Sequence, residues 1–263
     1  MDIGGKVTVV TGAAGGIGGA LAERFVAEGA AAVVVADRDE LGARAVADRI
    51  GPVAKAMRCD VADDASVVTM IDATEAAFGT IDLFFANAGV GVGTDLETAD
   101  ADWDLAFDVN IKAHYYAARR LLPAWLERGD GYFCSTASAA GLLTQIGSAP
   151  YSVTKHAAVA FAEWLSVTYG DRGVRVSCLC PMGVNTNMLN AGPPTTGGDV
   201  VRMAGAVLEP ADVAAVCVEA IRDERFLILP HPEVLTFFQR KASDYDRWLH
   251  GMRRLQAKVL SAQ

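Results

Sequence analysis

The chain has 263 residues, of which 52% are hydrophobic and 21% are charged. This length and composition fit one large α/β domain with much buried sheet. The formal net charge of −9 speaks against nucleic acid or an anionic membrane surface as the main partner, because their phosphates would repel the chain. No apolar run in the sequence is long enough to cross a membrane.

The five cysteines are an odd number, and most of them lie in or beside apolar runs. No signal peptide precedes the first apolar run, so the sequence predicts buried free thiols in a reducing cytoplasm. Cys178 and Cys180 have the wrong spacing for a zinc knuckle, and in a strand both sulfurs would point to the same face. We therefore interpret this pair as core packing and predict no metal site.

Short apolar runs alternate with helix-like stretches along the chain. The strand candidates are 7–10, 33–37, 54–59, 81–86, 131–135, 175–180 and 226–229. A first helix ends near residue 28, and further helical patterns cover 40–50, 66–78, 103–121, 151–169 and 211–222. Apolar strands separated by helices indicate a parallel sheet covered on both faces. The prediction is a single doubly wound Rossmann-type α/β domain over residues 1–263, with a seven-stranded parallel sheet and helices on both faces.

Two segments differ in composition from the rest of the chain. Residues 182–207 are rich in Gly, Pro, Asn and Thr, which predicts a long mobile loop over the substrate site, because long loops in compact domains are often lids. Residues 232–261 mix aromatic and basic side chains and predict an amphipathic helix packed on the domain or on a second subunit. A membrane-surface helix is the alternative for this tail.

A glycine-rich turn at residues 11–18, with the sequence TGAAGGIG, joins the first predicted strand to the first helix. Glycines let the chain turn tightly and let a pyrophosphate approach backbone N–H groups at a helix N-terminus. An ordinary glycine-rich turn is the alternative, but the strand–turn–helix context favours a dinucleotide site. Its candidate residues are Gly12, Gly16, Ile17 and Gly18.

Asp37 ends the second predicted strand, 19 residues after the glycine motif. A carboxylate at this place can accept hydrogen bonds from both ribose hydroxyls of the adenosine and would repel a 2′-phosphate, so NAD is favoured over NADP. Arg38 could instead bind that phosphate, and Asp37 could also cap the next helix, since Glu40 follows three residues later. Asp60 and Val61 follow the third strand, where the carboxylate could reach the adenine amino group.

Tyr151 and Lys155 are four residues apart, so on a helix they lie one above the other. Free tyrosine titrates at about 10, and a neighbouring positive charge lowers its pKa. A phenol that loses and regains its proton near neutral pH is a general acid/base. Taken alone the pair also fits an exposed helix turn.

The motifs together resemble those of the short-chain dehydrogenase/reductase family over nearly the whole chain. The resemblance rests on the glycine turn and on residues that follow it in the family's order: Asp60, Asn87, Ala88, Gly89, Asn110, Ser138, Tyr151 and Lys155. Ser138 stands 13 residues before Tyr151, as the family's catalytic serine does.

The resemblance implies hydride transfer between a carbinol carbon and nicotinamide. Tyr151 would be the general acid/base, Ser138 would hydrogen-bond the substrate oxygen, Lys155 would lower the phenol pKa and hold the ribose, and Asn110 would anchor a water. The implied nicotinamide contacts come from a further group: Pro181, Gly183, Val184 and Thr186. Here Met182 stands where the family often has glycine.

The resemblance leaves the substrate open. Candidate pocket residues are mostly apolar, and we see no basic cluster in the sequence for a charged group; the candidates are Ala140, Leu142, Gln145, Ile146, Met182 and Met188. This favours a small hydrophobic secondary alcohol or ketone as substrate. The alternatives are a 3-oxoacyl thioester reductase and a non-catalytic dinucleotide-binding regulator. A homodimer or homotetramer through helices 103–121 and 151–169 is typical of the family.

Overall fold

The computed structural model describes residues 1–190 and 196–261. Its seven strands form one parallel sheet in the order β3-β2-β1-β4-β5-β6-β7. The strands are β1 (Val7–Thr11), β2 (Ala32–Asp37), β3 (Ala54–Arg58), β4 (Leu83–Ala86), β5 (Gly131–Thr136), β6 (Val174–Leu179) and β7 (Leu227–Ile228). The predicted seven-stranded sheet is confirmed. The strand order reverses between β1 and β4, and ligands of such sheets bind at the carboxyl ends of the strands beside this reversal.

Helices connect successive strands and cover the sheet. Those before the sixth strand are α1 (Gly16–Ala27), α2 (Glu40–Ile50), α3 (Asp64–Phe78), α4 (Asp100–Phe107), α5 (Ala113–Arg128), α6 (Ala140–Leu143) and α7 (Ala149–Tyr169). Those after it are α8 (Asn187–Asn190), α9 (Thr196–Ala204), α10 (Pro210–Arg222), α11 (Glu233–Ser243) and α12 (Tyr245–Leu260).

Two apolar clusters hold the helices against opposite faces of the sheet. One face carries α1, α2 and α10, with Leu21 and Phe25 among its buried side chains. The other carries α3, α5 and α7, where Trp125 is fully buried and donates its indole N–H to the carbonyl of Ile81 at 2.7 Å. Both faces are therefore apolar, which explains why the strands read as continuous apolar runs.

One long predicted helix, 103–121, is interrupted. A π-helical turn, Asp108–Lys112, separates α4 from α5. Such turns contain an extra residue and often lie at functional sites.

All five cysteines are free and buried, and the sulfurs of Cys178 and Cys180 lie 3.8 Å apart, in agreement with the predicted core packing.

The segment 182–207 contains more regular structure than the predicted loop, because α8 and α9 lie inside it. Its base is fixed by a parallel bridge between Val184 and Leu208. Residues 191–195 of the predicted loop lie outside the described residues.

The predicted C-terminal helix is two helices, because Asp244 stops α11 and begins α12. The Asp244 side chain accepts a hydrogen bond from the backbone N–H of Arg247 at 2.9 Å, which caps α12. The buried Lys241 donates to the carbonyl of Leu142 at 2.7 Å, so α11 is anchored on α6. Among the residues that the structure describes, no helix combines the length and apolar character that a membrane crossing needs.

Candidate active site

A cavity of about 1610 Å³ lies at the carboxyl ends of the strands. It extends from the glycine turn, past α6 and α7, to the C-terminal helices. Most of the predicted site residues line it. Four of them do not: Gly18, Asn110, Leu142 and Ile146.

The glycine turn brings the start of α1 against β1 and β4. Gly12 and Gly16 adopt positive φ angles of 65° and 54°, which disfavour other residues. Gly18 lies behind the turn, where a Cβ atom would come 2.3 Å from the carbonyl oxygen of Gly12. The first N–H groups of a helix have no acceptor within it and favour a negatively charged ligand. The turn thus fits the diphosphate of a dinucleotide.

Asn87 fixes this turn from β4. Its side-chain amide donates to the carbonyls of Thr11 and Gly12 at 3.0 and 3.3 Å, and it accepts from the Thr136 hydroxyl at 3.2 Å. Ala88 stands close to Gly12, because a Cβ on Gly12 would come 2.7 Å from the Ala88 Cα. The asparagine therefore ties three neighbouring strands together around the turn.

Asp37 lies at the end of β2 and faces the cavity. Its two carboxylate oxygens accept hydrogen bonds from the backbone N–H groups of Ala14 and Asp39, each at 3.0 Å. The helix-cap alternative for Asp37 is wrong, because Asp39 caps α2 by accepting from Gly42 at 3.0 Å. Asp37 instead joins the glycine turn to β2, and Arg38 lies beside it on the cavity wall.

Asp60 and Val61 also line the cavity, after β3. The Asp60 carboxylate accepts from the backbone N–H of Ala62 at 3.1 Å, and its own N–H donates to the Ser66 hydroxyl at 3.0 Å. These bonds hold the carboxylate in a fixed turn at the same end of the sheet as Asp37.

Tyr151, Lys155 and Ser138 meet on the cavity wall. The ammonium of Lys155 lies 5.5 Å from the centre of the Tyr151 ring and donates to the carbonyl of Thr136 at 3.0 Å. The Ser138 hydroxyl accepts from the backbone N–H of Ala140 at 3.1 Å and donates to the carbonyl of Pro181 at 3.4 Å. It lies close enough to Tyr151 to lower the pKa of the phenol. The start of α7 and the end of β5 thus bring together a phenol, a hydroxyl and an ammonium.

Burial changes the protonation of this group. It raises the pKa of Tyr151 above its ordinary value, and the nearby Ser138 hydroxyl offsets part of this rise. The sequence analysis expects the Lys155 charge to lower this pKa, but the net shift in the structure is upward. The pKa of Lys155 is itself lowered to about 8, since burial disfavours the ammonium, so this side chain remains mostly cationic at pH 7.

Asn110 is fully buried behind the cavity wall, in the π-helical turn. Its side-chain oxygen accepts from the backbone N–H of Val90 at 2.9 Å, and its amide donates to the Val90 carbonyl and to the Thr154 hydroxyl. A Cβ on Gly89 would lie 3.3 Å from both the Asn110 oxygen and the Lys155 nitrogen. Gly89 therefore preserves the gap between these two side chains.

The loop after β6 forms another part of the cavity wall, with Pro181, Gly183, Val184 and Thr186 on the cavity. The Thr186 methyl approaches the turn, because a Cβ on Gly16 would lie 3.2 Å from it. The Thr186 hydroxyl points to the Val184 carbonyl at 3.4 Å.

His231 holds this loop and was not found by sequence reasoning. Its Nδ1 accepts from the backbone N–H of Met182 at 3.1 Å, and its Nε2 faces the carbonyls of Gly183 and Ala206 at 3.2 and 3.1 Å. One buried ring thereby joins the loop after β6 to the end of the α9 segment. Its position between two prolines just after the last strand is the only signal in the sequence.

Two of the six residues predicted for the substrate pocket lie elsewhere in the structure. Ala140, Gln145, Met182 and Met188 line the cavity, but Leu142 and Ile146 do not. Leu142 packs into the main apolar cluster behind α6. Ile146 packs with Val200 and Val259, which joins α9 and α12.

The tail supplies cavity residues that the sequence analysis did not assign. Both apolar and basic side chains of α11 and α12 line the cavity: Phe237, Arg240, Arg247, Trp248, Met252, Arg254 and Leu255. No basic cluster is visible in the sequence, because these residues are spread over two helices. Only the fold determines which sides of the two helices line the cavity. In the described ranges, no group of three or more His, Cys, Asp or Glu side chains is placed to hold a metal ion.

His114, on α5, lies behind this site and should make folding sensitive to acid. Its Nδ1 hydrogen-bonds the Ser135 hydroxyl at 2.9 Å, and its Nε2 is buried without a hydrogen-bond partner among the described residues. Burial lowers its pKa to about 3. The unfolded chain therefore binds more protons between pH 6.5 and 3, so stability falls as the pH falls through this window.

We expect wild type to lose about 2 kcal/mol of unfolding free energy through His114 between pH 7 and pH 5. His114→Asn keeps a neutral hydrogen-bonding group and should remove this part of the loss. Urea unfolding at both pH values measures it, and His250→Asn on the exposed side of α12 is the control. An unchanged pH dependence in His114→Asn would show that His114 is not the acid-sensitive group.

Comparison with known proteins agrees with this geometry. A sequence model described as short chain dehydrogenase matches residues 6–196. Meso-2,3-butanediol dehydrogenase of Serratia marcescens is 35% identical over 231 residues, which cover 87% of this chain and 92% of that protein.

Two solved structures have the same fold. A short chain dehydrogenase/reductase from Burkholderia phymatum in complex with NAD superposes with a TM-score of 0.85 at 32% identity, covering 94% of this chain and 96% of that chain. A 3-ketoacyl-(acyl-carrier-protein) reductase from Brucella melitensis complexed with NADH has a TM-score of 0.78 at 28% identity, covering 86% of this chain and 96% of that chain. The match of sequence, fold and site geometry shows that the chain belongs to the short-chain dehydrogenase/reductase family.

Proposed function

We propose that this chain is an NAD(H)-dependent oxidoreductase that interconverts a hydrophobic secondary alcohol and its ketone, with Tyr151 as the general acid/base. The observation that carries the proposal is the meeting of Tyr151, Ser138 and Lys155 on the wall of the cavity that also contains the glycine turn. A non-catalytic dinucleotide-binding regulator would not need these three side chains together. A panel of alcohols and ketones followed by NADH absorbance separates the two functions.

The bound nicotinamide would supply the hydride acceptor or donor, and the protein would handle the proton. In the oxidation direction Tyr151 takes the proton of the substrate hydroxyl, and in the reduction direction it returns one. Ser138 hydrogen-bonds the substrate oxygen and orients it. Asn110 anchors a water that links Lys155 to solvent.

Lys155 has two roles in this proposal. Because burial raises the Tyr151 pKa, ionisation of the phenol needs a positive charge nearby, which the ammonium provides. It also holds the nicotinamide ribose. Across the cavity, the backbone of Val184 and the hydroxyl of Thr186 would contact the carboxamide. Met182, where the family often has glycine, is held by His231.

The NAD preference rests on Asp37, whose carboxylate would repel a 2′-phosphate. We expect NADH to bind wild type more tightly than NADPH by about tenfold or more, which corresponds to about 1.4 kcal/mol. Asp37→Asn keeps an acceptor for the N–H of Ala14 but removes the charge, so this preference should shrink severalfold. Fluorescence titration with both cofactors measures it.

The control for this test is Asp39→Asn, which removes a carboxylate two residues away and leaves a residue able to cap α2. If Asp39→Asn loses as much of the preference for NADH over NADPH as Asp37→Asn does, the preference comes from the summed negative charge of this region and not from Asp37 itself. A wild-type preference for NADPH would contradict the role of Asp37 and would point to Arg38 as a phosphate ligand.

The runner-up is reduction of a 3-oxoacyl thioester. It is supported by the likeness to the Brucella melitensis reductase, whose structure contains NADH, so a reductase of this kind is compatible with the cofactor that Asp37 favours. Including a 3-oxoacyl thioester in the substrate panel compares the two candidate activities directly.

We also propose that the chain forms a homodimer or homotetramer in the cytoplasm. Exposed apolar side chains on the outer faces of α5 and α7 support an oligomer, among them Tyr115, Trp164 and Val167. Light scattering after size-exclusion chromatography would measure the mass, and Trp164→Glu should reduce it if α7 forms the interface.

A further inference from the structure

Three arginines line the part of the cavity that is built by the C-terminal helices: Arg240 on α11, and Arg247 and Arg254 on α12. We call them the arginine rim. Arg247 and Arg254 are seven residues apart, which places them on the same face of α12. All three side chains are exposed and share the wall with Phe237 and Trp248.

The rim has no carboxylate partner within the described ranges, 1–190 and 196–261. No ion pair involves any of its three guanidinium groups. The two carboxylates on the same wall have other roles: Asp244 caps α12, and Asp199 lies 3.9 Å from Arg202. By contrast, surface arginines of α5 pair with the acidic side chains of α3.

The distribution of charge along the sequence also places positive charge at the arginine rim. The chain carries a net charge of −9, yet residues 233–261 contain six Lys or Arg and only three Asp or Glu. Positive charge is therefore concentrated in the segment that closes the substrate end of the cavity.

A glycine opens the wall between the two arginines of α12. Gly251 lies inside this helix and on the cavity, four residues after Arg247 and three before Arg254. Glycine is less favourable than alanine inside a helix. A Cβ at this position would meet only the Arg254 guanidinium, at 3.9 Å, so the space beside the rim is open to a ligand.

We propose that the arginine rim binds an anionic group of the substrate, a carboxylate or a phosphate, at the end distant from the reacting carbon. The substrate is then an alcohol or ketone with an anionic end. Its apolar part lies along Phe237 and Trp248 and connects the anionic end to the reacting carbon. This inference rests on the proposed function and specifies its substrate class. Guanidinium groups suit this task, since they bind carboxylate and phosphate in bidentate geometry.

The test compares two ketones that share the same chain and differ in the charge at the end distant from the carbonyl. With 9-oxodecanoate and its methyl ester, wild type should show a kcat/KM ratio of about ten or more in favour of the acid. Arg247→Gln/Arg254→Gln should bring this ratio close to one. Arg253→Gln is the matched control, because Arg253 is an exposed neighbour on the same helix that does not line the cavity, and it should keep the wild-type ratio.

A second pair distinguishes the source of the anion. If the rim binds phosphate, 3-oxodecanoyl-coenzyme A should be preferred over the neutral 3-oxodecanoyl-N-acetylcysteamine, and the double variant should lose that preference. A ratio near one for both pairs in wild type, or an equal loss in Arg253→Gln, would overturn the proposal.

A binding measurement without turnover tests the arginine rim independently of the proposed oxidoreductase function. Isothermal titration of octanoate into the NADH complex should show about tenfold weaker binding in the double variant than in Arg253→Gln. Binding that depends on the rim without turnover of any ketone would refute the proposed function alone. Turnover without acid or phosphate preference, with octanoate binding equal in the two variants, would refute the rim alone.

Discussion

Replacing Tyr151 with Phe should reduce kcat by about 10²–10⁴-fold, the usual contribution of a general acid/base. The change removes one hydroxyl and leaves the aromatic ring beside Lys155, so the cavity keeps its shape. The dissociation constant for NADH should therefore stay close to that of wild type. Steady-state rates on the best substrate of the panel, together with NADH fluorescence titration, measure both quantities.

The matched control is Tyr169→Phe, which removes a phenolic hydroxyl at the far end of the same helix, outside the cavity. It should leave kcat unchanged. Turnover in Tyr151→Phe that matches wild type would remove Tyr151 from the acid/base role. A loss of NADH binding along with turnover would mean that the phenol acts through cofactor positioning.

Replacing Gly18 with Ala should weaken NADH binding by at least about tenfold, which is about 1.4 kcal/mol. The added Cβ would stand 2.3 Å from the Gly12 carbonyl oxygen and 2.7 Å from the Asn87 side-chain nitrogen. Neither neighbour can yield easily, because one is backbone and the other holds the turn through the Thr11 carbonyl. The turn must therefore shift and change the positions of the N–H groups that would face the diphosphate.

Gly19→Ala gives a close control on the next residue. Its nearest neighbour would be the Ala13 carbonyl oxygen at 3.5 Å, an ordinary contact. Since alanine is more favourable than glycine inside a helix by about 1 kcal/mol, this variant should bind NADH normally and unfold at equal or higher denaturant concentration. Equal NADH affinity in Gly18→Ala and wild type would contradict the assignment of the turn as the diphosphate site.

The sequence predicted most reliably the features that depend on local spacing. The helix positions of Tyr151 and Lys155 follow from a four-residue separation, and the glycine turn follows from its place between a strand and a helix. Parallel strands ending at one edge then bring Asp37 and Asn87 to the same cavity. Such features need no knowledge of side-chain packing across the fold.

Features that depend on packing could not be read from the sequence. Leu142 looks like a pocket residue by its place after Ser138, but α6 turns it into the core. His231 is far along the chain from the loop it holds, and no local pattern marks that contact. The direction of the Tyr151 pKa shift also depends on burial, which raises the pKa and which four-residue spacing does not reveal.

The π-helical turn between α4 and α5 bears on how this chain tolerates changes in length. Each residue advances an α-helix by about 100°, so deleting one residue there would swing α4 around its axis relative to α5. Asn110 would then lose both of its hydrogen bonds to Val90, although no remaining residue of the chain would have been substituted. Insertions and deletions should therefore be poorly tolerated at this point of the chain, although the turn itself contains no glycine.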